Sequence, residues 1–187
     1  MMKLNNSTKV VISQSMYFPW VGLLKQIKIA DIFIHYNDVQ LARGFANRIQ
    51  IKTDQGTKWL TVPLKNRHRG QTIEETLIDN ESNWKRKHIE FLKSAYFRAP
   101  YKKEMLQLED QVLCQDLVKL SDMASESTMA LAGYFGLEDR TTFLDSKNLR
   151  VLGSNSQRLL DLCKRVEAVQ YVTGHGASNY LNHDIFE

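Results

Sequence analysis

The stretch Val10-Val11-Ile12-Ser13-Gln14-Ser15-Met16-Tyr17-Phe18-Pro19-Trp20-Val21-Gly22 constrains the fold more than any other part of the chain. A β-branched run of strand length leads into a short polar and aromatic loop, and then into a proline of the kind that opens helices. Over Pro19 to Ala30, apolar residues at Trp20, Val21, Leu24 and Ile27 follow the spacing of one helical face. Asp31 to Asp38 reads as a second strand with few polar breaks, as expected where both faces of a parallel sheet are covered. Strand, crossover helix and strand make a βαβ unit, which is right-handed by rule. The expected fold is α/β, with a Rossmann-like, mainly parallel sheet that starts with this unit.

The rest of the chain adds a β-hairpin insertion and a helical segment. Arg48 to Thr53 and Lys58 to Leu64 alternate with period two around Asp54-Gln55-Gly56-Thr57, with Arg48, Gln50, Lys52 and Lys58 placed outward. Lys65 to Gln71 reads as a basic loop, and Glu75 to Asp79 as a short strand. Helical periodicity then dominates residues 83–137. One helix starts near Asn83 and stops before Pro100, another spans Met105 to Cys114, and a third spans Leu117 to Phe135 with Gly136 as its cap. Thr141 to Leu144 returns to strand. Ser154-x-x-Gln157 has the form of a capping box before a helix. At 187 residues the expectation is a single α/β domain over 1–187, with 83–137 as its helical elaboration.

Composition excludes some classes of function. The N-terminal region is polar, and its apolar run is only a strand long, which predicts neither a signal peptide nor a membrane span and places the protein in the cytoplasm. Cys114 and Cys163 fall in helical patterns with apolar neighbours, so they read as buried hydrophobes rather than a redox pair. The five histidines lack metal-site spacing, and no metal or cofactor is assigned. The net charge of +4 is uneven: Arg43, Arg48, Lys52, Lys58, Lys65, Arg67 and Arg69 share a segment with Asp54 as its one acid. Such a segment suits an anionic partner, whether phosphate, nucleotide or nucleic acid.

A second junction resembles the first. Val169 to Leu181 reads as a strand, a Gly174-x-Gly176 loop and a helix start. In an open parallel sheet, ligands sit beyond the carboxyl ends of strands, where helix N–H groups favour anions. Thr173, His175, Ser178 and Asn179 would there meet Gln14 and Tyr17. A third glycine is missing, since Asn179 occupies its place, so no dinucleotide fingerprint is present, and no Walker sequence occurs either. His175, held between glycines, and Asp38, at the end of the second strand, are the candidates for proton transfer. Their plainer roles are a solvated loop residue and a turn cap.

Ile12-Ser13-Gln14, Tyr17-Phe18-Pro19-Trp20-x-Gly22, Ala30-Asp31, Asn37-Asp38-Val39-Gln40, Asn47-Arg48-Ile49, Trp59-Leu60-Thr61-Val62-Pro63, Tyr171-x-Thr173-Gly174 and Tyr180-Leu181 together resemble the WbqC-like protein family. The resemblance implies a role in bacterial O-antigen or other surface-polysaccharide clusters, with a glycine or other aminoacyl transferase activity on an activated sugar. It departs from the family pattern at Ser15, Met16 and Thr173, and the family is expected to continue beyond Glu187. Together with the basic stretch and the two loop junctions, the motif positions make Gln14, Tyr17, Trp20, Arg43, Asn47, Arg48, Thr173, Gly174, Asn179 and Tyr180 the expected substrate-binding residues, with Asp38 and His175 as the expected catalytic ones.

The leading expectation is a transferase that puts an acyl or aminoacyl group on an amino sugar, carried on a nucleotide. A nucleotide-sugar binding protein without catalysis is the alternative. A single-stranded nucleic-acid binder, using basic residues interleaved with Phe45 and Trp59, ranks last, because the basic stretch is short and acids elsewhere nearly balance it.

Overall fold

The computed structural model describes residues 7–42 and 44–187. In chain order its elements begin β1 (Lys9–Ser13), α1 (Val21–Ile29), β2 (Ile32–His35), β3 (Arg48–Thr53), β4 (Gly56–Thr61), β5 (Leu64–Lys65) and β6 (Leu77–Ile78). They continue α2 (Trp84–Ala95), α3 (Lys102–Leu113), α4 (Leu120–Tyr134), β7 (Thr142–Asp145), α5 (Ser146–Leu149), α6 (Asn155–Arg165) and β8 (Gln170–Val172), followed by short 3-10 turns at His175–Asn179 and His183–Phe186. The chain divides into two units. The first takes the chain as far as Gln14, then Trp20–Asn37 and Phe135–Glu187; the second takes Ser15–Pro19 and Asp38–Tyr134.

The first unit is the α/β part. Its four strands lie in the order β7-β2-β1-β8, and every pair is parallel. Val10, Val11 and Ile12 are all buried, because β1 is an inner strand and its alternate side chains face opposite covered sides. Val10, Ile12 and Ile34 pack with Leu159, Leu162 and Cys163 of α6, while Leu23 and Ile27 of α1 are buried as well. Thr141 ties the end of α1 to the start of β7 by donating its hydroxyl to the carbonyls of Ile27 and Ala30, at 3.0 Å each.

The second unit carries the hairpin, the small β5–β6 pair and the three helices α2, α3 and α4. Ile51 and Leu60 turn one hairpin face onto Leu92 of α2. A second cluster joins Tyr17, Val62, Ile78, Trp84, Val112, Leu113 and Met123.

Several boundaries differ from the sequence expectation for local reasons. Pro63 cannot donate to a ladder, so the expected Lys58–Leu64 strand breaks into β4 and β5. The hairpin turn is only Asp54–Gln55, because Thr53 already pairs with Gly56, whose φ of 97° closes it. That register sets Trp59 opposite Gln50, on the face of Arg48 and Lys52, whereas Lys58 sits opposite Ile51 on the other face. Pro19 does not open α1; Trp20 is its cap. Ser154 is the cap of α6 but makes no side-chain bond, and Gln157 turns to Asp161 at 2.9 Å, so the capping box does not close. Cys114 is exposed at the end of α3, contrary to its expected burial, while Cys163 is buried. Gly136 takes the left-handed φ of 62° expected of a cap. No helix among the described residues is long and apolar enough to cross a membrane.

Candidate functional site

Because the four strands of the first unit are parallel, their carboxyl ends share one edge. The register aligns Asp145 with His35 and His35 with Ser13. Extending the β1–β8 register past Val172 brings Gly174 level with Ser13. Gln14 and Thr173 therefore leave adjacent strands at this edge, as the two similar junctions of the sequence predict. The helix expected after the glycine loop is only the His175–Asn179 3-10 turn, where His175, Asn179 and Tyr180 are exposed and Ala177 is buried. Gly174 lies close to α1: a Cβ there would stand 3.3 Å from the Gln26 Nε2 atom, a tight contact that a small shift of the glutamine side chain relieves.

Trp20 and Gly22 form one device at the start of α1. A Cβ on Gly22 would lie 2.1 to 2.4 Å from three indole carbons, so the indole folds back over the glycine while staying 55% exposed. Thr173 bonds the side chain of Tyr171, whose hydroxyl burial pushes up to about 12, and Tyr171 stacks on Phe186 at 5.3 Å.

Tyr17, Asp38, Asn47 and Arg48 belong to the second unit, and Arg43 lies outside the described residues. Tyr17 is 1% exposed, and its hydroxyl meets His88 Nδ1 at 3.0 Å. The His88 ring also bonds the backbone of Thr61, which leaves Nδ1 to accept from the tyrosine. Burial takes His88 down to about 4, so it is neutral at pH 7. Asp38 lines an open depression of about 500 Å³ with Thr72, Glu74, Glu75 and Lys119, where Glu74 and Lys119 stand 3.8 Å apart. The Asn47 amide is held by the Val62 carbonyl at 3.1 Å. Arg48 donates from Nε to the Gly44 carbonyl at 3.1 Å and lays its guanidinium over Trp59, 4.2 Å from the ring centroid.

Part of the basic stretch, and of the cations that follow it, has specific local partners. Lys65 pairs with Glu81 at 2.6 Å and Arg86 with Glu90 at 2.7 Å. Lys85, whose charge opposes the dipole of its own helix α2, donates to the Gln115 carbonyl just beyond α3, at 2.9 Å, where a cation is favoured.

Three features of the first unit escaped the sequence reading. His35 is buried between Phe33 and Phe143, and burial takes it down to about 4. Asp145 ends β7 and caps α5 by accepting from the Lys147 N–H at 3.0 Å. Arg158 is buried, with its guanidinium 5.0 Å over the Tyr36 ring and Nε donating to the Val151 carbonyl at 3.0 Å. Only the apolar neighbours of His35 signalled burial in the sequence; a charged residue in an amphipathic helix gives no such sign. Among the described residues no three His, Cys, Asp or Glu side chains gather as a metal site would require.

Comparison with known proteins agrees with the motif pattern. The model of the WbqC-like protein family matches residues 14–187. Uncharacterized protein Rv1507c of Mycobacterium tuberculosis is 34% identical over 182 residues, covering 96% of this chain and 78% of that protein. No solved structure matches significantly. The chain thus belongs to the WbqC-like protein family.

Proposed function

We propose that the protein is an acyl- or aminoacyl-transferase, glycine transferase-like in kind, that modifies an amino sugar linked to a nucleotide. Its place would be in the cytoplasm, in the making of O-antigen or another surface polysaccharide. Family membership supports the class of pathway, and the shared edge from which Gln14 and Thr173 leave β1 and β8 supports a ligand site there. The latter observation carries the reading.

In the proposed reaction the sugar amine attacks the carbonyl carbon of an activated acyl donor. A C–N bond forms, the bond to the donor's leaving group breaks, and the amine proton passes through a base to that leaving group. At this edge His175 serves as the base, while Gln14, Asn179 and the loop N–H groups orient substrate and hold developing negative charge; Asp38, which lies in the second unit, is the other candidate base. Thr173, Gly174, Tyr180 and Trp20 shape the same end of the sheet. Tyr17, 1% exposed, fixes its own loop within the second unit through its bond to His88.

Separate His175→Ala and Asp38→Ala variants should fold normally, and loss of the base should cut transfer about 10²-fold or more. Transfer would be followed by mass spectrometry of the acylated amino sugar. Unchanged turnover in both variants rejects the assignment, and saturable binding of a nucleotide sugar without any acylated product favours a binding protein instead.

A further inference from the structure

The hairpin face turned away from α2 has no established role. By register it carries Arg48, Gln50 and Lys52 from β3 beside Thr57, Trp59 and Thr61 from β4. Its opposite face is occupied by packing on Leu92. Trp59 is 41% exposed and Phe45 39% exposed, with ring centroids 5.7 Å apart at 41°. Two adjoining exposed aromatic rings with a guanidinium stacked on one of them form a platform rather than scattered surface residues.

Arg48 is held in place there. Its Nε is bound to Gly44, its plane lies over Trp59, and no acid pairs with it among the described residues. The loop behind the platform is also anchored, since the Tyr17 N–H donates to the Phe45 carbonyl at 3.0 Å. With Nε engaged, the guanidinium still offers its two Nη groups, a fork matched to a phosphate. Lys52 stands on the same face, and Asp54 is the one acid within the hairpin. Charge and shape together call for a ligand with a flat ring and an adjoining oxyanion.

We propose that this face, made by Trp59, Phe45, Arg48 and Lys52, binds a nucleoside diphosphate, with the base against the aromatic pair and the phosphates on the two cations. The choice of nucleotide rests on the reading of the substrate as nucleotide-linked. A free nucleotide fits better than a nucleic-acid strand because the platform is one ring pair deep.

The full-length chain would be titrated with ADP, UDP, GDP, inorganic diphosphate and a short oligothymidylate, read by calorimetry and tryptophan fluorescence. At least one nucleoside diphosphate should bind more tightly than diphosphate alone and quench fluorescence. Trp59→Ala and Arg48→Ala should each weaken it about tenfold or more. Arg48→Lys, which keeps charge but loses the fork, should also bind less tightly. Circular dichroism and thermal unfolding would establish that the variants fold, as expected for changes on an exposed face. Nucleotide binding unchanged in both alanine variants overturns the site. Tighter binding of the oligonucleotide, with steep salt dependence, overturns the choice of ligand. Absence of nucleotide affinity also overturns the proposal, and if amino-sugar acylation persists, the transferase reading survives it. Nucleotide bound at this face without any transfer has the reverse meaning.

Discussion

Glu109 is 2% exposed, and neither of its carboxylate oxygens has a hydrogen-bond partner among the described residues. Burial is the main reason its carboxyl rises to about 7; Asp110 adds to the rise and Lys93 opposes it. The folded state therefore holds a proton that the unfolded chain releases near the ordinary value of 4.5. Its stabilising contribution is full below pH 4.5, declines as pH rises to about 7, and stays lost above that; the difference corresponds to about 3 kcal/mol. Glu109→Gln removes this titration. The stability difference between variant and wild type, measured by urea unfolding, should move in favour of the variant from pH 5 to pH 7.5 and then level off. A difference independent of pH would show that the carboxyl titrates normally. Nothing in the local sequence marks Glu109, because a glutamate in an amphipathic helix reads as exposed. Gly22 was legible in part: its spacing from Trp20 was visible, but the reason for it, an indole lying on the glycine, needed coordinates.

At the scale of elements, long-range regularities were readable and short-range competition was not. The βαβ unit showed in the β-branched runs, since inner parallel strands bury both faces, and the hairpin showed in its alternation. The 3-10 turn after β8 and the four residues of α5 carry too little pattern for periodicity to find. α5 offers two substitutions of opposite sign. Asp145 accepts from the Lys147 N–H, so Asp145→Ala should cost about 1 kcal/mol. Arg150, its C-cap, adopts φ 54°, a left-handed conformation that favours glycine, so Arg150→Gly should stabilise by roughly 0.5–1 kcal/mol. Paired urea denaturation curves check both, and a loss of stability on Arg150→Gly would mean that the arginine side chain matters more than its backbone.

At the scale of the molecule, the division into two units has a measurable consequence. The candidate site residues were readable one by one as motif positions, but their assignment to units was not, because burial and pairing are decided by distant segments. The chain crosses between the units at Gln14–Ser15, Pro19–Trp20, Asn37–Asp38 and Tyr134–Phe135. We expect so interleaved a chain to unfold in one cooperative step, and its pH dependence tests this. His35 of the first unit and His88 of the second both fall to about 4 from 6.5, so each contributes stability that is present above pH 6.5 and lost as pH falls toward 4. Glu109 of the second unit works in the opposite direction between 4.5 and 7. If the units unfold together, two histidine protons are gained and one carboxyl proton is lost between pH 4.5 and 6.5. Stability should then rise with pH by about 1.4 kcal/mol per unit over that range and peak near 6.5. If they unfold separately, His35 alone makes the first unit acid-labile, while His88 and Glu109 nearly cancel in the second. Calorimetry from pH 5 to 6.5 distinguishes the cases: one transition whose midpoint climbs with pH supports the single domain, and two transitions, one climbing and one nearly fixed, reject it.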